Sequence, residues 1–205
     1  MNTTTPSALS IAVVGCGYWG PNLIRNFHRA PGCTVSAICD RSEERLDHMG
    51  SLYPEVRQFR EFDEMLALDG IDAVAIATPV STHFPLAKAS LLAGKHTLIE
   101  KPMASSTREC EELNAIAEEM GLTLMVGHTF LYSAPVKCIT GIIADGDLGQ
   151  VLYINSQRLN LGLFQEDINV AWDLAPHDIS IILHLLRKLP TSVNCQGNAH
   201  ITSGI

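Results

Sequence analysis

The sequence predicts an α/β protein. A doubly wound parallel sheet is expected over residues 1–128, followed over 129–205 by the start of an α+β domain with a mostly antiparallel, open sheet. Three observations carry this reading. Short apolar runs alternate with amphipathic stretches as far as Val126. The run 71–77 (IDAVAIA) is apolar almost throughout, as in a parallel strand covered on both faces. Beyond His128 a longer alternating segment appears, as in a sheet with one open face.

The elements follow in order. Residues 10–40 read as strand, tight glycine turn, helix and strand, closed by Asp40. Residues 42–53 form a helix capped by Ser42; Pro54 interrupts, 56–59 is a short strand and 61–68 a short helix. Thr78-Pro79 ends the strand 71–77, and a helix over 83–93 is stopped by Gly94. A strand over 96–99 closes at Glu100-Lys101-Pro102; a helix over 107–120 ends at Gly121 and leads to a strand over 122–126. In the second domain we expect a helix over 133–145 with Pro135 in its first turn, a strand over 151–160, a helix over 176–188 with Pro176 at its first position, and one or two strands within 192–202. One long strand, one helix and a hairpin cannot bury both faces of a sheet, so this domain is expected to be incomplete.

Composition narrows the function classes. With 46% hydrophobic and 18% charged residues the chain has material for a core and is not a disordered polymer. A net charge of −8 argues against broad binding to nucleic acid or anionic membranes. No apolar run reaches membrane-spanning length, and MNTTTPSALS has no basic stretch followed by an apolar core, so no signal peptide is expected. The six cysteines (16, 33, 39, 110, 138, 195) form no C-x-x-C pair, which fits a reducing cytoplasm better than a disulfide framework or structural zinc. Without H-E-x-x-H or G-x-S-x-G, neither a catalytic metal nor a serine hydrolase is expected.

The chemistry concentrates at predicted strand ends. Gly15, Gly17 and Gly20 stand in G-x-G-x-x-G spacing between a strand and a helix. The first permits the tight turn, the second lets backbone approach a pyrophosphate, and the third lets helix pack on strand. The pyrophosphate would rest on the N–H groups opening the helix. Asp40 can accept hydrogen bonds from an adenosine ribose and would repel a 2′-phosphate, whereas Arg41 beside it would attract one; the balance leans to NAD, with NADP possible. Pro102 holds Lys101 extended at a strand exit, where partial desolvation would make its amine a proton donor or acceptor; taken alone, Lys101 also fits a solvated loop lysine. In Trp172–Asp178 the predicted helix start places His177 in the first turn, where the dipole keeps imidazole neutral, with Asp173 just before the helix; an N-terminal cap and a surface histidine fit those residues as well. His83, at a helix start near the cofactor strand, is a candidate ribose contact or a cap, and His128 a candidate for the nicotinamide pocket.

With these residues assembled, the chain resembles the Gfo/Idh/MocA family of NAD(P)-dependent oxidoreductases. The matching pieces are VVGCGYWGPNLIRNF, Asp40, ATPVSTHFPLAKASLLAGKHTLIEKPMA and WDLAPHDI. The resemblance implies a Rossmann domain and a substrate domain. Gly15, Gly17 and Gly20, with Tyr18 and Trp19 in the same turn, would hold the pyrophosphate. Asp40 would hold the ribose, Thr78 and Pro79 would line the cofactor with Glu100 nearby, and Lys101, Asp173 and His177 would form the catalytic group. The implied reaction moves a hydride between NAD(P) and a secondary alcohol of a sugar, with nucleotide sugars suggested by the GYWGPNL wording and free sugars or inositols as alternatives. A homo-oligomer is implied for the full-length protein. Two rivals from other classes are a nucleotide-binding regulator or scaffold without chemistry and an inactive fragment whose second domain does not fold.

Overall fold

The computed structural model describes residues 8–159 and 168–198. They divide into two compact units, Met1–Gly127 and His128–Ile205.

The first unit is a six-stranded parallel sheet in the order β3-β2-β1-β4-β5-β6, with β1 Leu9–Val14, β2 Cys33–Cys39, β3 Arg57–Phe59, β4 Ala73–Ile76, β5 His96–Ile99 and β6 Leu124–Val126. The strand order reverses between β1 and β4, so the crevice at their carboxyl ends is the topological switch point where open α/β sheets bind ligands. Helices α1 (Gly20–Arg29), α2 (Glu43–Leu52), α3 (Phe62–Leu66), α4 (His83–Leu92) and α5 (Thr107–Glu119) connect the strands. Parallel strands need such crossovers, and the sheet is covered on two faces because its residues are apolar on both. One core packs Val14, Ile76, Leu91, Ile99 and Leu113 together; the other packs Ile11, Val13, Ile24, Ile38 and Met49. Ser42 caps α2 as expected, its Oγ accepting from the Arg45 N–H at 3.3 Å. An apolar groove lined by Leu9, Phe27, Ala73, Leu98 and Met125 opens toward the amino-terminal ends of the strands, away from the switch point.

In the second unit α6 spans Ala134–Ala144 and α7 spans Val170–Leu186. Two expectations are corrected here. Residues 151–159 form no strand: the alternation of VLYINSQRL suits a half-buried strand, but a ladder needs a neighbour, and no strand is present among the described residues of this unit. Leu152 and Tyr153 stay largely exposed as a result. Residues 192–198 likewise form no strand; Asn160 and residues 199–202 lie outside the described residues. The helix expected to open at Pro176 opens six residues earlier, because Asn169 caps it with Oδ1 accepting from the Trp172 N–H at 2.9 Å. Pro176 therefore lies inside α7. Among the described residues, no helix is long and apolar enough to cross a membrane.

Candidate cofactor and catalytic site

The glycine turn follows β1 directly, and each of its three glycines faces a different constraint. Gly15 has φ +93°, and a Cβ there would stand 2.5 Å from the Ala77 carbonyl oxygen, at the exit of β4. At Gly20 a Cβ would meet the Gly15 carbonyl oxygen at 1.8 Å, so helix packs on turn only without one. Gly17 faces the Arg45 guanidinium, 3.4 Å from its Cβ position. Helix α1 starts without a side-chain cap and without an acid in its first turn. Backbone amides and a helix N-terminus with no acid in its first turn form a donor set that fits a pyrophosphate.

Asp40, after β2, does more than wait for a ribose. Its Oδ2 accepts from the Cys16 N–H at 2.7 Å and its Oδ1 from the Ser42 N–H at 2.8 Å. The carboxylate thereby ties the end of β2 to the glycine turn. Arg45 lies 3.7 Å from Oδ2. Sequence reasoning missed Arg45, which reads as one more helical cation; the cue available was its position one turn after the Ser42 cap. Arg41 and Tyr18 are exposed. Burial, followed by the Asp40 charge, pushes the Cys16 thiol up to about 12, and the same pair of causes pushes Cys39 up to about 11.

The exits of β4, β5 and β6 line up on the same edge, since Ala77 N–H donates to Val14 O, Glu100 N–H to Ile76 O and Gly127 N–H to Ile99 O, each at 2.8 or 2.9 Å. Thr78 and Pro79 follow β4, and Thr82 Oγ1 donates to Thr78 Oγ1 at 2.7 Å. Glu100 is the junction of the edge. Its Oε2 accepts from the Lys101 N–H at 3.3 Å, the Trp19 indole lies close enough to pull the carboxyl down, and Oε1 is buried with no hydrogen-bond partner. Burial pushes its carboxyl above the usual range, against the opposing pull of Lys101 and Trp19. A Cβ on Gly127 would come within 2.9 Å of both carboxylate oxygens. An unsatisfied buried acceptor at the edge fits a donor group of a bound cofactor. Burial lowers the His128 pKa, and its Nδ1 is buried without a partner, so the ring is neutral near pH 7.

His83 is 1% exposed, with Nδ1 2.8 Å from Pro102 O and Nε2 2.8 Å from Thr78 O, so the ring is turned into the unit against main-chain carbonyls.

In the second unit Asp173 lies in the first turn of α7 and His177 four residues later, so the pair shares one helix face. His177 is two turns from the N-terminus, beyond the reach of the helix dipole, which acts within the first turn; the expected dipole effect on its ring is withdrawn. Phe130 packs edge-to-face on its ring at 4.7 Å, and Arg158 lies over Phe130 at 4.9 Å. Asp178 accepts from Ser156 Oγ at 2.7 Å and pairs with Arg158. Burial would raise its carboxyl, but Ser156, Arg158 and His177 outweigh it and hold the group below its usual range. The structure thus joins the glycine turn, Trp19, Asp40, Thr78, Glu100 and Lys101 along one edge of the first unit, and groups Asp173 and His177 on one helix of the second.

A family model described as an oxidoreductase family with an NAD-binding Rossmann fold, Gfo/Idh/MocA, matches residues 9–128. The chain is 31% identical over 195 residues to the UDP-N-acetylglucosamine 3-dehydrogenase of Acidithiobacillus ferrooxidans, covering 93% of this chain and 58% of that protein. It is 30% identical over 202 residues to the uncharacterized oxidoreductase YdgJ of Escherichia coli, covering 90% of this chain and 55% of that protein. The crystal structure of GenD2 from gentamicin A biosynthesis, in complex with NAD, superposes with a TM-score of 0.80 at 25% identity, over 91% of this chain and 56% of that one. This chain therefore spans a little over half the length of these relatives. It belongs to the Gfo/Idh/MocA oxidoreductase family, and its first unit is that family's NAD-binding Rossmann domain.

Proposed function

We propose that the full-length protein is a dehydrogenase that oxidises a secondary alcohol of a sugar, with a nucleotide sugar as the favoured substrate. The observation that carries the reading is the junction at Glu100. There the Trp19 indole of the glycine turn lies close enough to hold down the carboxyl that adjoins Lys101, so the pyrophosphate cradle and the lysine share one edge. NAD supplies the hydride acceptor; the protein supplies position and proton transfer. Gly15, Gly17, Gly20, Tyr18 and Trp19 bind the phosphates, Asp40 the ribose, and Thr78, Pro79, Glu100 and His128 the remainder of the cofactor. Lys101 polarises the substrate oxygen, His177 takes the hydroxyl proton, and Asp173 orients the ring or the sugar; the alternative assignment exchanges the roles of Lys101 and His177. Proton transfer of this kind contributes about 10²–10⁴-fold. The UDP-N-acetylglucosamine 3-dehydrogenase relative supports the nucleotide sugar. The D-apiose dehydrogenase of Paraburkholderia graminis, 29% identical over 147 residues, supports a free sugar as the second reading.

The test is a screen of UDP-sugars and free sugars with the full-length protein, following NADH fluorescence, with Lys101→Ala beside the wild type. The variant is expected to keep NAD affinity within a few-fold while kcat falls at least about 100-fold. Equal losses in affinity and rate would remove Lys101 from proton transfer. Absence of turnover with every sugar, alongside tight NAD binding, would favour the scaffold reading.

A further inference from the structure

We infer that Phe130 and Arg158 are positioning residues for His177: a guanidinium anchored on Asp178 holds the phenyl ring against which the imidazole is seated. The role rests on the dehydrogenase reading, in which His177 acts on the hydroxyl proton, and the seat itself rests on contacts within the second unit.

Asp178 directly follows His177 on α7, so the helix turns the two side chains about 100° apart. The anchor and the imidazole leave the same turn in different directions. Both carboxylate oxygens of Asp178 are occupied: Oδ1 accepts from Ser156 Oγ and Oδ2 from Arg158 Nε. Segment 156–158 is thereby tied to α7 at the level of His177. The guanidinium, held at Nε, lies over the Phe130 ring with its central carbon 4.9 Å from the ring centroid. Phe130 belongs to the 3₁₀ turn Thr129–Tyr132 and is 39% exposed, so it is not a core side chain. Its ring plane crosses that of His177 at 78° with the centroids 4.7 Å apart, the edge-to-face arrangement that aromatic rings favour.

A proton-transferring imidazole needs such a seat. The χ2 torsion of histidine is broad, so the side chain alone does not fix which edge of the ring faces a substrate. The group must come within hydrogen-bond reach of its proton, and a misplacement of about 1 Å can cost about 10²-fold. A partly exposed phenyl ring is itself free to change rotamer, and the cation over its face restricts that freedom. Asp173, one turn earlier on α7, can orient the same imidazole, since the seat adds one constraint and excludes no other. In this role Phe130 and Arg158 touch no reacting atom; they fix the direction in which His177 acts.

One arm of the experiment needs no activity. In the wild-type chain with isotopically labelled histidine and phenylalanine rings, nuclear Overhauser contacts are expected between His177 and Phe130. Their absence would overturn the seat, and this holds whether or not any variant folds. The double variant Arg158→Met, Asp178→Asn removes the cation without leaving a carboxylate unpaired, and there the contacts are expected to weaken. Full retention would also overturn the seat. The second arm uses the full-length enzyme. Phe130→Leu keeps an apolar side chain at a partly exposed position and is expected to melt near the wild-type midpoint. Its kcat is expected to fall about 10–100-fold, with the KM for the sugar and the Kd for NAD changed less than about threefold. Phe130→Tyr, which keeps the ring, is expected to recover most of that loss. An unchanged kcat in Phe130→Leu, a loss confined to KM, or no recovery in Phe130→Tyr would end the positioning role. If the wild type turns over no sugar, the dehydrogenase reading fails by itself, and the ring-to-ring contacts still judge the seat.

Discussion

Gly20 packs against Gly15 so closely that a Cβ on the third glycine of the turn would stand 1.8 Å from the carbonyl oxygen of the first. The obstacle is backbone, so no side-chain rotation relieves it. Gly20→Ala is expected to exceed the ~1–3 kcal/mol of ordinary overpacking and to abolish measurable NAD binding. Calorimetry and NADH fluorescence measure the two effects, and a variant with wild-type melting would refute the packing geometry.

Gly141 is the contrast. It lies inside α6, has no positive φ, and a Cβ there would meet nothing within 4 Å. Gly141→Ala is expected to stabilise the second unit by about 0.5–1 kcal/mol, read as a higher denaturation midpoint with an unchanged slope.

Cofactor preference follows from the charges after β2. Asp40 opposes a 2′-phosphate, and the cations able to attract one are Arg41, exposed beside it, and Arg45, 3.7 Å away. The wild type is expected to bind NAD at least about tenfold more tightly than NADP. Replacing Arg41 by Ala should weaken NADP more than NAD. Titration calorimetry with both cofactors checks this, and tighter NADP binding by the wild type would overturn it.

Glu100 predicts a pH effect with a definite sign. Its carboxyl is raised by burial, so the folded chain holds that proton more tightly than the unfolded chain. The stabilisation is therefore complete below the ordinary carboxylate range and is lost as pH rises through the folded value. Glu100→Gln has no such titration, so its stability relative to the wild type should improve from about pH 4 to about pH 7.5. Urea melts at the two pH values decide, and a constant difference would count against the burial.

Four of the six cysteines fall into two reactivity classes. Cys138 and Cys195 are exposed, whereas Cys16 and Cys39 are buried with thiols pushed up to about 12 and about 11. Iodoacetamide at about pH 8 is expected to label the exposed pair and spare the buried pair until the chain is unfolded, as peptide mass spectrometry would show.

Much of the first unit was legible because its signals are local. The strand over 96–99 sits where the sequence predicted it, Ser42 caps the helix it precedes, and Gly15 and Gly20 meet backbone at distances only glycine allows. The second unit was less legible because two local signals competed. Pro176 imitates a helix start, but Asn169 provides the cap, and this moves His177 away from the dipole. The alternation over 151–160 described a strand whose pairing depends on partners outside the segment. The site's cross-links were out of reach for another reason. The contact of His83 with the Pro102 carbonyl, the approach of Trp19 to Glu100 and the Asp178–Arg158 pair join residues far apart in sequence, and no periodicity encodes them.

The bond from the Cys16 amide to Asp40 bears on any attempt to breed an NADP-preferring version of this chain. Exchanging the acid for a small neutral residue, the customary first move, would also cut the tether that shapes the phosphate loop, so affinity for both dinucleotides should drop before any new preference emerges. Redesign would do better to leave that carboxylate alone and recruit the neighbouring guanidinium groups instead.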